Sequence, residues 1–243
     1  MIKFFRKIRY DLMEKNKTRK YLKYAIGEII LVVIGILIAL SINNWNENRK
    51  SKRVAYETYQ NLQNSLIQDS TEVQRIIKSQ TRSLEVQKAF ILRGANQNPI
   101  EFDENNMNEL IEDINLGIFS FFPKNGIYNS IISNNGMDLI KSKEIKASLI
   151  NLYDHQYNRY ANMDATIEAK YHNHLIPVIT KKIGYISSII ESPDPVLFKE
   201  NYQELISECR NVYGVLTSNR DLLIQISKEI NELLELIRIE LKK

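Results

Sequence analysis

Ala25 to Ile42 reads AIGEIILVVIGILIALSI, eighteen residues in which Glu28 is the one charge. At about 1.5 Å per residue a helix of this length reaches about 27 Å, just enough for a hydrocarbon core of roughly 30 Å or slightly less. The run Ile29 to Leu40 is apolar on every face, so a helix made from it has no polar side to turn to water, as a core helix at a protein surface would. Membrane insertion is the expectation. A cleaved secretory signal competes with it, because Ala39-Leu40-Ser41 imitates a small-residue cleavage site. Against cleavage, the 24 residues ahead of the span exceed what such a signal needs, and the apolar run is long enough to stay.

Working outward, residues 1–24 hold nine Lys or Arg (Lys3, Arg6, Lys7, Arg9, Lys15, Lys17, Arg19, Lys20, Lys23) against Asp11 and Glu14, a net +7. The whole chain is +4, so residues 25–243 sum to −3. The basic balance therefore belongs to the tail, which argues against a nucleic-acid-binding domain. On the other side of the span only Glu47 precedes the cluster Arg49, Lys50, Lys52 and Arg53. The positive-inside bias puts the N-terminus in the cytoplasm, with some opposition from that later cluster. Tyr21 and Tyr24 on one side and Trp45 on the other stand where amphipathic rings favour the headgroup level. The expected organisation is a basic cytoplasmic tail (1–24), a transmembrane helix (25–42) and an extracytoplasmic domain (43–243) in the inner membrane, with the bulk of the chain periplasmic. Within the span Glu28 either snorkels to water or pairs with Lys23 or another subunit. Gly35 and Ala39 form a small-xxx-small pair able to admit a second helix closely. Glu28, Gly35 and Ala39 are thus the candidate membrane-helix contacts.

The opening block carries FFRKIR at Phe4 to Arg9, YAIGEIILVVIGILIAL at Tyr24 to Leu40 and INNWNE at Ile42 to Glu47. It resembles a large family of uncharacterised single-pass membrane proteins from Bacteroidota, a domain of unknown function. Further along, the resemblance rests on a helical layout that includes NSIISNNGMDLIKSKEIKASLINLY. It implies a membrane protein and assigns no activity, ligand or partner.

Beyond the span the pattern is helical throughout, and the predicted class is all-α, one N-terminal transmembrane helix continuing into an elongated helical bundle. Tyr59, Leu62, Leu66, Val73, Ile76, Leu84 and Ile91 recur at helical spacing with no Pro or Gly until Gly94. A loop over Asn96 to Asp103 contains Pro99 and ends on a cap at Asp103. Met107, Leu110, Ile111 and Ile114 line a short helix ending near Gly117, and Ile127 to Ile132 another, stopped by Asn134-Asn135-Gly136 in a left-handed cap. A long helix carries Ile145, Leu149, Leu152, Tyr153, Gln156, Tyr160, Met163, Ile167 and Tyr171 toward Pro177, where it should kink or stop. A shorter helix, Val178 to Ile190, follows. Asp194 as cap with Pro195 at the first position opens the last helix. Its heptads place Tyr202, Cys209, Leu216, Leu223, Ile230 and Ile237 at a, and Leu205, Val212, Asn219, Ile226, Leu233 and Glu240 at d. A second apolar row, Ile206, Tyr213, Leu234 and Leu241, favours packing among several helices over an isolated coiled coil, in which Asn219 would set register.

Chemistry is sparse. One cysteine, Cys209, excludes an intrachain disulfide framework, and its heptad position reads as a buried inert thiol. His155, His172 and His174 are the only histidines. Asp164, Glu168 and His172 at steps of four permit a weak metal or proton-handling face, though a solvated face explains them as well. Tyr153, Tyr157 and Tyr160 suit core packing or a groove for an apolar or carbohydrate ligand. There is no glycine-rich phosphate loop, G-x-S-x-G elbow or H-E-x-x-H helix. No enzyme activity, cofactor or metal is expected. The leading expectation is a noncatalytic envelope protein, an interaction or scaffold module whose partners are the lipid bilayer and another envelope protein or a second copy. The alternatives are a small-ligand sensor acting through a partner, and an enzyme with an unrecognised site.

Overall fold

The computed structural model describes Tyr10 and residues 18–95, 104–187, 189 and 192–242. The basic block from Lys3 to Lys17, the side chains of Lys20 and Tyr21, and the loop holding Pro99 and Asp103 lie outside the described residues. Among those described there is no strand, and the chain is all-α. We number the helices α1 (Thr18–Ala95), α2 (Glu104–Asn115), α3 (Gly126–Ser133), α4 (Lys143–Ile150), α5 (Tyr157–Lys170) and α6 (Pro195–Leu241). Two compact units divide the chain, Met1–Ala55 and Tyr56–Lys243, and α1 carries residues of both.

In the first unit the large apolar side chains from Ile26 to Ile42 are all between 47% and 63% exposed. Neighbouring side chains of the same helix cover the remainder. No face of this stretch is hidden by protein, which is what an apolar-all-round sequence produces when no second helix joins it.

The second unit is built on three long helical runs. Along α1 and α6, Ser70 meets Asn231 and Gln74 donates to the Ser227 hydroxyl at 2.7 Å, so one helix descends as the other ascends. Asp69 with Tyr157 and Gln87 with Tyr171 advance together, which makes the middle run, residues 143–182, parallel to α1. The buried residues of α1 are Tyr59, Leu62, Leu66, Asp69, Val73, Ile76, Gln80, Ser83, Gln87 and Phe90, with Ser65 and Leu84 beside them. Steps of three and four between the first ten make a full heptad seam, which the apolar residues alone do not reveal. Ile91, read from the sequence as core, is only half-buried, and Phe90 takes that place.

The middle run stays helical through α4, a π-helical stretch Asn151–Gln156, α5, and two further π stretches, Tyr171–Leu175 and Val178–Lys182. Pro177 therefore does not stop the run, one of the two outcomes the sequence suggested there. It sits between two widened turns, where i→i+5 bonding such as Ile176 N–H to the Tyr171 carbonyl relieves the ladder that a proline ring disrupts. The helix expected over Val178 to Ile190 instead ends at Lys182. Gly184 takes φ +72°, and the Tyr185 N–H turns back to the Ile179 carbonyl at 3.0 Å.

Other signals are met locally. Asp194 accepts from the Val196 and Leu197 amides at 2.8 and 3.2 Å with Pro195 at the first position of α6. Asn135 adopts the left-handed conformation after α3, φ 53°. Ser142 caps α4 by accepting from the Ile145 amide.

Candidate functional site

Between α2 and α3 the chain runs through residues 119–124 with no repetitive structure. Backbone outside helices that packs against a core must find its hydrogen bonds elsewhere. Here α1 and α5, with the turn after α5, supply them. The Ile114 carbonyl accepts from the Ser83 hydroxyl at 2.7 Å and the Tyr171 hydroxyl at 2.9 Å. The Phe119 carbonyl accepts from Gln80 Nε2 at 3.2 Å. The Phe121 amide donates to Tyr160 Oη at 2.8 Å, the Lys124 amide to Asp69 Oδ1 at 3.0 Å, and the Ser65 hydroxyl to the Lys124 carbonyl at 3.1 Å. The polar positions of the α1 seam are thus a ladder for a segment that has no ladder of its own.

Behind these contacts stand two buried carboxylates. Tyr157 donates to Asp69 Oδ2 at 3.0 Å and Tyr160 to Asp164 Oδ1 at 2.9 Å. Burial raises both carboxyls above the ordinary aspartate value. The Lys124 amide and the Tyr157 hydroxyl oppose that rise at Asp69, and the Ser120 and Tyr160 side chains oppose it at Asp164. Burial also lifts the hydroxyls of Tyr153, Tyr157 and Tyr160 far above the ordinary tyrosine range, and with Asp154 lifts Tyr128 to about 12. Each of these phenols is therefore held protonated. Asn219 lies beside Asp164 and Tyr160, close enough to favour the charged carboxylate, yet neither of its amide atoms makes a well-formed hydrogen bond.

The tyrosine cluster does not form a ligand groove. Tyr153, Tyr157 and Tyr160 are buried in a chain of rings: Tyr128 stacks on Tyr153 at 4.4 Å, Tyr153 meets Tyr157 edge-on at 5.0 Å, and Phe121 fits against both Tyr157 and Tyr160. The Asp164, Glu168 and His172 face also separates. Asp164 turns into the core, while Glu168 and His172 remain exposed, 3.9 Å apart. His155 is exposed, and His174 lies 3.3 Å from a Glu208 oxygen. No three His, Cys, Asp or Glu side chains among the described residues converge as metal ligands. Cys209 is fully buried and its thiol is pushed up to about 12 by burial, so it is a poor nucleophile at neutral pH.

In the first unit Glu28 is half-buried, and Gly35 and Ala39 are exposed. A Cβ added at Gly35 would meet nothing within 4 Å. The three share one strip of the helix: Gly35 and Ala39 are four residues apart, and Glu28 precedes Gly35 by seven. Gly35 and Ala39 on that strip are covered by no other part of the described chain.

The class these features define is an all-α protein with, among the described residues, one helix long and apolar enough to cross a membrane. The chain belongs to a family of unknown function, DUF6090, whose model matches residues 28–191. The match begins inside the apolar stretch and takes in INNWNE, α2, α3 and the middle run; the FFRKIR start and α6 fall outside it. No curated protein and no solved structure matches the chain.

Proposed function

We propose that this protein is a single-pass anchor of the inner membrane, with residues 1–24 in the cytoplasm and residues 43–243 presented to the periplasm as an elongated helical bundle that serves as a noncatalytic interaction or scaffold module. One observation carries the anchor: from Ile26 to Ile42 the apolar side chains are exposed on every face. Water tolerates no such surface at about 25 cal/mol per Å², whereas a bilayer does. The nine basic residues before the span supply the direction. The module reading is supported by the buried Asp69, Gln80, Ser83 and Tyr160 side chains, which are engaged with the chain's own backbone. Spheroplasts treated with protease test both anchor and direction. The chain is expected to resist carbonate extraction and to lose everything beyond the span. Recovery in the soluble fraction, or a mature product beginning near Asn43, overturns the anchor. Crosslinking in intact cells followed by capture is expected to return one envelope protein, or a second copy of this chain, reproducibly.

A further inference from the structure

Past the span α1 turns basic. Trp45, Arg49 and Lys52 follow one another at steps of four and three, which places them on one helix face. Glu47 projects from the opposite side, where Lys50 donates to it at 3.4 Å. All three residues of the basic face are exposed. The Arg49 guanidinium lies over the Trp45 ring, 5.8 Å from its centroid. Stacking uses the flat face of the guanidinium and leaves its edge N–H groups for an oxyanion.

Counted from Ile42, Trp45 stands about 5 Å and Arg49 about 10 Å beyond the last apolar residue of the span. The interfacial layer on each side of a bilayer is about 5–8 Å thick, and a long basic side chain reaches back across the remainder. Lys52 is one turn further, still within a Debye length of the surface.

We propose that Trp45, Arg49 and Lys52 form a binding site for anionic phospholipid headgroups in the leaflet at the C-terminal end of the span. The indole fixes the depth, and the guanidinium and ammonium take the phosphate oxygens. The site rests on the anchor reading. It also assigns a purpose to basic residues that otherwise only oppose the charge asymmetry of the span.

Trp45 is the only tryptophan in the chain, so its emission reports this leaflet and not the N-terminal tail. The experiment uses the full chain in phosphatidylcholine vesicles doped with a spin-labelled quencher lipid, either phosphatidylglycerol or phosphatidylcholine. Quenching per mole of probe is expected to be about fivefold greater for the anionic probe, the effect of about one basic residue held at a charged surface. In Arg49→Gln/Lys52→Gln the ratio is expected to fall to about one, and in Arg49→Lys/Lys52→Arg to persist. Equal quenching by the two probes in the unaltered chain, or an unchanged ratio in the Gln pair, overturns the site while leaving the anchor intact. Carbonate release of the chain, with no quenching by either probe, overturns the anchor and the site with it.

Discussion

Along α1 of the second unit Tyr59, Leu62, Leu66, Asp69, Val73, Ile76, Gln80, Ser83, Gln87 and Phe90 are buried in steps of three and four. The same steps along α6 bury Leu205, Cys209, Val212, Leu216, Asn219, Leu223, Ile226, Ile230, Leu233 and Ile237. Four of the first ten are polar, against one of the second. The geometry of the two seams is shared, so the difference lies in what each faces. The α6 seam lies in the apolar core, with nine of its ten side chains apolar and buried. The α1 seam meets the irregular segment 119–124 and the end of α2, whose amides and carbonyls need partners. Polar residues at core positions are here the cost of docking a non-helical segment against a helical core.

The sharpest way to break this comparison is Asp69→Leu, which converts one rung of the α1 seam into the chemistry of α6. Were α1 simply a heptad seam, the leucine would stabilise. We expect a loss of about 2 kcal/mol, because the buried Tyr157 hydroxyl and the partly buried Lys124 amide would each lose their acceptor. Chemical denaturation of the full chain in detergent, followed by circular dichroism, measures it.

Gly117→Ala probes the same join from the other side. A Cβ there would collide with Tyr171 Oη and lie 2.9 Å from Ser83 Oγ and 2.8 Å from Leu216. It would push apart the two hydroxyls that hold the Ile114 carbonyl. About 2 kcal/mol of destabilisation is expected by the same denaturation measurement, whereas Gly214→Ala, where nothing lies within 4 Å, should be neutral or slightly stabilising through helix propensity.

Why α6 was legible and α1 was not follows from the same chemistry. Periodicity reading counts apolar residues, and α6 supplies them at nearly every seam position, with Asp194 and Pro195 marking its start. In α1 the gaps at Asp69, Gln80, Ser83 and Gln87 hide the heptad. Asp69, Gln80 and Ser83 bond backbone groups up to 55 residues away in sequence, and Gln87 donates to the Tyr171 hydroxyl 84 residues away, partners for which no local signal exists. The middle run misled for another reason. Its π turns shift the phase between Ile150 and Tyr157, so Tyr157 and Asp164 are buried while Gln156 and Met163 are only half-buried. Asp164 thus leaves the polar face that the four-residue spacing had drawn. The exposed apolar stretch of the first unit was read without difficulty, since no neighbour alters the meaning of residues that are apolar all round.

The carboxylates of the join give the comparison a pH axis. Burial raises Asp69 and Asp164 above the ordinary 3.8, so between that value and their folded values the native chain binds more protons than the unfolded one. Their protonation contributes stability that is fully present below 3.8 and lost as pH rises through the folded values. Melting of the full chain in detergent should therefore rise, for this contribution, as pH is lowered from neutral toward that window. Asp69→Asn/Asp164→Asn should flatten the slope. A slope identical in the variant and the unaltered chain would mean that the two carboxyls titrate alike in the folded and unfolded states.

The smallest expected effect has the opposite sign to the largest. Asn219 is the lone polar rung of the α6 seam, fully buried with both amide atoms lacking a well-formed hydrogen bond. Asn219→Leu removes an amide whose burial is uncompensated and adds apolar contact, so a gain of about 1 kcal/mol is expected in the denaturation midpoint. The swap also withdraws a dipole that favours the ionised form of Asp164, which should steepen the pH slope. A gain here and a loss at Asp69→Leu would show that the two seams differ in what their polar groups are for. A loss at both positions would mean that Asn219 is tied to the Tyr160–Asp164 pair in solution, and that the polar join extends from α1 across the core into α6.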